Sequence, residues 1–319
     1  MSPTLSQVFE EHYLPLRLSD ATDGAIELYR VILRRWAAIT GDPAVGNVTP
    51  ETLAGFCASL KASPGNMRHG KPSTPNGKMS VNTIRGYLRA VQTLLDFCGP
   101  RGRRARDSLA ILTEPPWMRP PRESLETPRV VPLERLSDCY KAAKCMSFPR
   151  IGRIRPSTWW RCLLAAAFNL GLRRGTLLQF ESSEVDWEAA TLKIPAHRMK
   201  SRRAHTLPLN EVAAKHLHRV RNGGGPMFRW PLRKEALVKH LYKLEEAIGL
   251  GPEDRFGLQD IRRTAGTIVA QISSPEIARA FLAHRAEDTA MRHYIDANGM
   301  LRAAVDAMPQ PAAFLNRRK

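Results

Sequence analysis

A proline-rich segment divides this sequence of 319 residues into two parts. Residues 113–129 contain five prolines and show no helical period. Each proline fixes its own φ and restricts the residue before it, so the segment is expected to be semi-extended. The chain is long enough for two domains with separate cores. We therefore predict a linker at 113–129, between a domain at 1–112 and a second domain at 130–319.

The first part has the apolar spacing of four amphipathic helices. Apolar side chains recur at helical intervals in four stretches: 4–18, 22–39, 50–61 and 80–98. The third stretch follows Thr49 and Pro50, a capping hydroxyl and a first-turn proline whose missing N–H costs nothing. Residues 62–79 are polar and rich in Gly and Pro, so they are predicted to form a loop. The prediction is a small helical domain.

The second part mixes helical patterns with a few short strands. Helices are predicted at 132–147, 157–170, 210–221, 233–248, in stretches from 258 onward, and at 298–307. Short strands are predicted at 184–187, 191–194 and 205–208, with a basic hairpin tip at 196–203. Residues beyond Pro311 are expected to form a basic tail, and the helix at 298–307 to dock either on a neighbouring copy or on its own core. The predicted fold class is mainly α with a small β-sheet.

Net charge is the strongest global signal. The chain carries 49 Lys and Arg against 30 Asp and Glu, a formal charge of +19. Both parts contribute, with +5 in residues 1–125 and +14 in residues 126–319. An acidic polymer is therefore the expected partner, with nucleic acid first among the candidates. Charge alone favours DNA over RNA only weakly, because structural nucleic-acid-binding proteins are equally basic.

The distribution of cysteines and apolar residues indicates a cytoplasmic protein. The five cysteines are scattered and lack metal-ligand spacing, so they are expected to be reduced core residues. The longest apolar run, Cys162 to Leu172, is too short to span a bilayer. Glu10 and Glu11 stand where a signal peptide needs its apolar region, so secretion is not expected.

Arginine, histidine and tyrosine group in the second part in a way that suggests phosphodiester chemistry. Cleaving a DNA strand with a side-chain nucleophile needs an attacking oxygen, cations over the phosphate oxygens and a proton donor for the leaving oxygen. Arginine suits the second task because its planar fork holds two oxygens and keeps its proton. A tyrosine, with a reference pKa near 10, needs neighbouring cations or a base. Neither a Walker loop nor a zinc or carboxylate metal pattern is present, so no cofactor or metal is expected.

Five short motifs in the second part resemble those of the tyrosine recombinase (phage integrase) family. Their sequences, in chain order, are Gly171-Leu172-Arg173-Arg174-Gly175, Met199-Lys200-Ser201-Arg202-Arg203 followed by Leu207-Pro208-Leu209, Gln259-Asp260-Ile261-Arg262-Arg263, Leu282-Ala283-His284, and Tyr294. The helical first part and its linker resemble the core-binding domain of the same family. The resemblance thus covers nearly the whole chain.

The resemblance implies a role for each motif. It makes Tyr294 the nucleophile, and Arg173 and Arg262 the two catalytic arginines. Lys200 becomes the general acid toward the 5′-oxygen, although Arg198, Arg202 and Arg203 in the same hairpin are alternative donors. His284 is expected to contact phosphate or transfer a proton, and Gln259 to donate a hydrogen bond to phosphate.

Three residues depart from the family pattern. Gln259 stands where a histidine is usual, and an amide cannot shuttle a proton. Thr176 replaces a common acidic residue that positions the first arginine. Ala283 replaces the usual glycine.

Further basic residues are candidates for DNA binding. Arg85 and Arg89 lie four apart on one predicted helix face, where a merely solvated face is the alternative. Arg101, Arg103 and Arg104 follow in a Gly-containing turn, and Arg202 and Arg203 lie beside Lys200. Arginines of this kind position a protein on the phosphate backbone without reading sequence.

The function expected from the resemblance is site-specific recombination through a 3′-phosphotyrosyl intermediate. The expected partner is double-stranded DNA, bound by a homo-tetramer that exchanges C-terminal segments, in the cytoplasm at the nucleoid. Two alternatives stay open. One is a type IB topoisomerase-like enzyme, and the other is a catalytically impaired DNA-binding regulator.

Overall fold

The computed structural model describes residues 2–65, 67–68, 71–72, 77–102, 106–122, 129–199, 201–284 and 297–315. The chain divides into two compact units, Met1–Glu126 and Thr127–Lys319, each with its own apolar core. Among the residues described, no helix has the length and apolar content needed to cross a membrane.

The first unit is built from helices. Two short helices, α1 (Leu5–Val8) and α2 (Leu14–Arg17), flank a π-helical segment, and three long helices follow: α3 (Asp23–Thr40), α4 (Pro50–Ala62) and α5 (Val81–Phe97). The Thr49 side chain caps α4 as predicted, by accepting a hydrogen bond from the Thr52 amide. Within the predicted loop 62–79, two-residue strands pair antiparallel, β1 (Met67–Arg68) with β2 (Lys71–Pro72).

The second unit surrounds a helix that is buried on all sides. Helix α7 (Pro156–Leu170) contains the apolar run noted in the sequence, and its residues from Cys162 to Leu170 are all buried. A helix that is apolar all round belongs in the centre of a core. Helices α6 (Leu133–Ala142), α8 (Arg174–Leu177), α9 (Glu211–Val220) and α11 (Leu258–Ile272) pack on α7. Helix α10 (Lys234–Glu246) packs on α6, and α12 (Pro275–Phe281) packs on α11.

A three-stranded antiparallel sheet completes the second unit. Its strands are β3 (Val185–Asp186), β4 (Thr191–Ile194) and β5 (His205–Pro208), in that spatial order. The register pairs Leu192 with Leu207 and Ile194 with His205. The basic hairpin predicted at 196–203 therefore connects β4 to β5, and the fold class predicted from the sequence is confirmed.

The C-terminal helices fold back onto their own unit. Leu301 and Val305 of α13 (Ala297–Asp306) are buried in the core, and the Arg302 guanidinium donates to the carbonyls of Ala189, Ala190 and Leu209. Of the two arrangements considered for this segment, docking on its own core is the one the structure shows.

Two expectations from the sequence are wrong. The expected tail begins with a helix, α14 (Ala312–Leu315), whose Phe314 is 1% exposed and lies 5.1 Å from the Tyr140 ring of α6. The Ala313 amide also donates to the Ser137 hydroxyl at 3.3 Å. Cys145, expected in the core, is exposed, whereas the other four cysteines are buried. It ends a 3-10 turn after α6 and faces solvent.

A buried carboxyl group stabilises the approach to α11. Glu245 is 0% exposed, and its Oε1 accepts the Phe256 amide at 3.1 Å. Burial disfavours the charged form and raises the pKa of Glu245 from 4.5 to about 8.

This shifted pKa predicts a pH-dependent stability that Glu245→Gln removes. Between pH 4.5 and 8 the unfolded chain loses the proton while the folded chain keeps it. The free energy of unfolding therefore falls as pH rises, by up to about 1.4 kcal/mol per pH unit. Glutamine keeps an acceptor for Phe256 without the charge, so the variant should gain stability relative to wild type by about 1–3 kcal/mol from pH 5 to 8. Urea unfolding across this range measures the gain, and Glu246→Gln, at an exposed neighbour, should show none.

Candidate active site

Arg262 lies in the second turn of α11 and is 3% exposed. A charged group is stable in such a place only if its N–H groups find acceptors. One Arg262 Nη donates to the Gly171 carbonyl and the other to the Leu282 carbonyl, the latter at 2.6 Å. Burial, and then the nearby charge of Arg173, lower the pKa of Arg262 to about 10, so it stays protonated at neutral pH. Arg262 thus joins two of the motifs singled out in the sequence.

Two glycines allow these motifs to approach closely. Gly171 ends α7 with φ +53, and a Cβ there would collide with the Phe281 ring. A Cβ on Gly266 would lie 2.6 Å from Leu282 Cδ1. Because neither glycine has a Cβ, the ends of α7 and α12 both pack tightly beside α11.

His284 contacts Arg262 directly. Its backbone amide donates to the Arg279 carbonyl at 2.9 Å, and its Nε2 lies 3.2 Å from an Arg262 Nη. Because a guanidinium can only donate, this Nε2 acts as the acceptor and the ring is neutral. Burial, followed by the charges of Arg262, Arg173 and Arg279, lowers the pKa of His284. The imidazole can therefore accept a proton at Nε2 only if its hydrogen bond from Arg262 is released.

Arg173 lies close enough for its charge to act on both Arg262 and His284. It is the N-cap residue of the four-residue helix α8, and its side chain is half-buried. Thr176 is buried, and its hydroxyl lies 3.5 Å from the Arg198 carbonyl. The structure therefore brings three of the predicted catalytic residues together: Arg173, Arg262 and His284.

Gln259 occupies a different environment on the same helix. It is exposed in the first turn of α11, one turn before Arg262. Its side-chain amide makes no hydrogen bond to any part of the chain that the structure describes.

A cleft of about 430 Å³ opens beside His284. Its walls come from the end of the β4–β5 hairpin, the end of α12 and the start of α13, and include Arg203, His205, Thr206, His284, Asn298 and Leu301. The hairpin predicted to carry the general acid therefore lies next to the histidine. Lys200 and Tyr294 themselves lie outside the described residues.

The predicted DNA-binding residues are in varied environments. Arg89 and Arg203 are exposed. Arg85 donates to the Pro121 carbonyl, and Arg101 Nε donates to the Ser108 carbonyl at 3.0 Å. Arg202 is exposed with φ +53, and Arg103 and Arg104 lie outside the described residues.

His205 is a site residue that sequence reasoning missed. It lines the cleft, its Nε2 is buried without a partner among the described residues, and burial lowers its pKa to about 4. Its charge environment includes Arg262. The available signal was its place on β5, because alternate residues of a strand face the same side.

Comparison with known proteins agrees with this geometry. Residues 146–299 match the model described as "Phage integrase family". A lambda integrase dimer bound to a COC′ core site has a similar fold, with a TM-score of 0.63 at 15% identity over 89% of this chain and 96% of that chain. A lambda integrase tetramer bound to a Holliday junction matches with a TM-score of 0.62 and 16% identity, over 93% of this chain and 78% of that chain. The Tn1549 transposon integrase in complex with transposon right end DNA matches with a TM-score of 0.56 and 13% identity, over 95% of this chain and 98% of that chain. No curated protein matches this sequence significantly.

The matched region, 146–299, contains Arg173, Arg262, His284 and Tyr294. The fold and this region define an enzyme class, the tyrosine recombinases, which cut and rejoin DNA at specific sites. Residues 146–299 form a domain of the phage integrase family.

The backbone at Ala283 generates a stability prediction. Ala283 adopts φ +49, a left-handed conformation that costs an L-residue about 1–2 kcal/mol. Ala283→Gly removes this strain, while the more flexible unfolded chain offsets about 0.4–1 kcal/mol. We expect a net gain of about 0.5–1 kcal/mol, measured by urea unfolding. Ala280→Gly, inside α12, is the matched control and should instead lose about 1 kcal/mol.

Proposed function

We propose that this recombinase cuts one DNA strand at a time by attack of Tyr294 on a backbone phosphorus. The tyrosine oxygen forms a bond to phosphorus, the bond to the 5′-oxygen breaks, and a 3′-phosphotyrosyl intermediate remains. The observation that supports this most is the grouping of Arg173, Arg262 and His284 within one site. The covalent intermediate conserves the energy of the broken bond, so rejoining requires no ATP.

Arg262 and Arg173 are assigned to the non-bridging phosphate oxygens. A guanidinium has five N–H donors, and Arg262 uses three of them in hydrogen bonds to Gly171, Leu282 and His284. Counting only partners in the described part of the chain, two donors remain for a phosphate. Donors held in place before the reaction stabilise the developing charge without further reorganisation.

Tyr294 and Lys200 are assigned as nucleophile and general acid from the family resemblance. Chain connectivity supports both assignments. Tyr294 precedes Asn298, a cleft residue, by four positions, so their Cα atoms are at most about 14 Å apart. Lys200 is joined directly to Ser201, which also lines the cleft. His284 is assigned to contact phosphate or to accept the tyrosine proton.

The first part of the chain is proposed to bind duplex DNA. We assign residues 1–112 as the core-binding domain, 113–129 as the linker and 130–319 as the catalytic domain. Arg85, Arg89, Arg101, Arg103 and Arg104 are the proposed phosphate contacts of the first domain, and Arg202 and Arg203 those of the second. The net charge of +19 supports binding to DNA, which takes place in the cytoplasm at the nucleoid.

Assembly on DNA is proposed to be a homo-tetramer, by analogy with the lambda integrase tetramer bound to a Holliday junction. Exchange of C-terminal segments would require residues of 297–315 to leave their own core. Burial of Leu301, Val305, Met308 and Phe314 opposes that release. Exchange therefore needs an equivalent apolar surface on the neighbouring copy.

A catalytically impaired DNA-binding regulator is the second candidate. The observation that favours it is Gln259, whose exposed amide can hold a phosphate oxygen but cannot move a proton. Cleavage assays decide between the two.

The first test uses a DNA substrate nicked near the cleavage position, which traps the covalent intermediate. The wild-type chain should form a protein–DNA adduct, and Tyr294→Phe should abolish it because the attacking oxygen is gone. Tyr87→Phe, which removes a half-buried hydroxyl of the first unit, serves as the control and should retain the adduct. An adduct that survives Tyr294→Phe would refute the nucleophile assignment, and its absence from wild type would favour the regulator.

A second test separates catalysis from DNA binding at Arg173. Arg173→Ala should slow adduct formation about 100- to 1,000-fold, because one cation over the phosphate is lost in the transition state. DNA affinity should change by less than about threefold, since one phosphate contact carries little of the total. The neighbouring Arg174→Ala is the matched control. Loss of binding equal to the loss of rate would place Arg173 in docking instead.

A further inference from the structure

The Arg129 side chain holds three consecutive backbone carbonyls. One Nη donates to the carbonyls of Glu253 and Arg255, both at 3.0 Å, and the other donates to the carbonyl of Asp254 at 2.6 Å. We refer to this arrangement of Arg129 with the carbonyls of 253–255 as the carbonyl clamp. A planar guanidinium suits it because its N–H groups point in fixed, diverging directions.

The clamp fixes the turn that leads into α11. Immediately after the clamped carbonyls, the Phe256 amide donates to buried Glu245 and the Gly257 amide donates to Asp260 Oδ2 at 2.8 Å. The second of these bonds caps α11. The clamped carbonyls, the capping bond of Gly257 and Arg262 therefore all lie between residues 253 and 262.

A second contact from the same segment reaches the interior of α11. The Val131 amide donates to the Thr264 hydroxyl at 2.8 Å, and both residues are buried. Thr264 lies two residues after Arg262. Residues 129–131 therefore hold α11 both before and after its catalytic arginine.

We infer that Arg129 is a positioning residue for the recombination reaction, acting through the carbonyl clamp to set where α11 presents Arg262. The inference rests on the proposed function of Arg262. Arg129 touches neither the cleft nor Arg262, so its effect is on geometry. Displacement of a catalytic group by about 1 Å is enough to slow a reaction greatly.

Stability is expected to depend on Arg129 only weakly. Its side chain is 40% exposed, so water can satisfy the three carbonyls after its removal. Water does not impose one conformation on the turn, however. Loss of the clamp should therefore slow the reaction while leaving the fold intact.

Arg135 provides a matched control. Its guanidinium lies 3.5 Å from Asp254 Oδ1, and the Arg129 guanidinium lies 3.6 Å from the same atom. The two arginines have similar exposure, 40% and 37%, and they carry the same charge. Among the described residues only Arg129 binds the carbonyls of this turn. Arg129→Ala and Arg135→Ala thus each remove one positive charge beside Asp254, but only Arg129→Ala removes the clamp.

The first experiment measures adduct formation and DNA affinity for the full chain. We expect Arg129→Ala to slow adduct formation about tenfold, with DNA affinity unchanged, and Arg129→Lys to recover only part of the rate. Arg135→Ala should keep the wild-type rate. Equal losses in both alanine variants, or a loss of affinity that accounts for the slower rate, would overturn the inference.

The second experiment does not depend on catalysis. His284 is titrated by NMR with ¹³C-labelled histidine, its resonance being assigned through His284→Gln. Displacement of Arg262 weakens the repulsion that lowers the pKa of His284, so this pKa should rise in Arg129→Ala and stay at its wild-type value in Arg135→Ala. An unchanged His284 pKa in Arg129→Ala would overturn the inference. If the wild-type chain forms no adduct, the proposed function is contradicted. The titration then still tests whether Arg129 positions Arg262.

Discussion

The buried guanidinium of Arg262 is the interaction on which the rest of the site depends. It is held by carbonyls from two other segments, at Gly171 and Leu282, and it contacts the ring of His284. Removing it would leave two carbonyls and one imidazole nitrogen without their donor inside the protein, which is far more costly than losing a surface contact. The same group therefore organises the fold locally and supplies charge for chemistry.

The site collects positive charge before any substrate arrives. Arg173 and Arg262 repel one another, and both disfavour a charged His284. Neither arginine forms a salt bridge with a carboxylate in the part of the chain that the structure describes. In the proposed reaction, the phosphate bound by these arginines supplies the missing negative charge and relieves this repulsion. The same excess of positive charge thus favours both phosphate binding and the negatively charged transition state.

The sequence predicts most of the secondary structure, since apolar periodicity marks each long helix and Thr49 marks a cap. Of the residues predicted for the site, Arg173, Arg262 and His284 come together in the structure. Other features depend on contacts between distant residues and leave no local signal. Arg129 was expected in a linker, although its acceptors lie more than 120 residues away. Phe314 was expected in a tail, and it is buried against the rings of Tyr140, Phe168 and His216. Ala283 has a left-handed backbone immediately after Leu282, which packs against Gly266.

The contact between α6 and α14 joins the beginning and the end of the second unit. The Ala313 amide bonds to Ser137, and the rings of Tyr140 and Phe314 pack together. Contacts between residues so far apart in the chain form late in folding, because a long loop must close first. During synthesis on the ribosome this unit cannot close its core until residue 314 has left the exit tunnel.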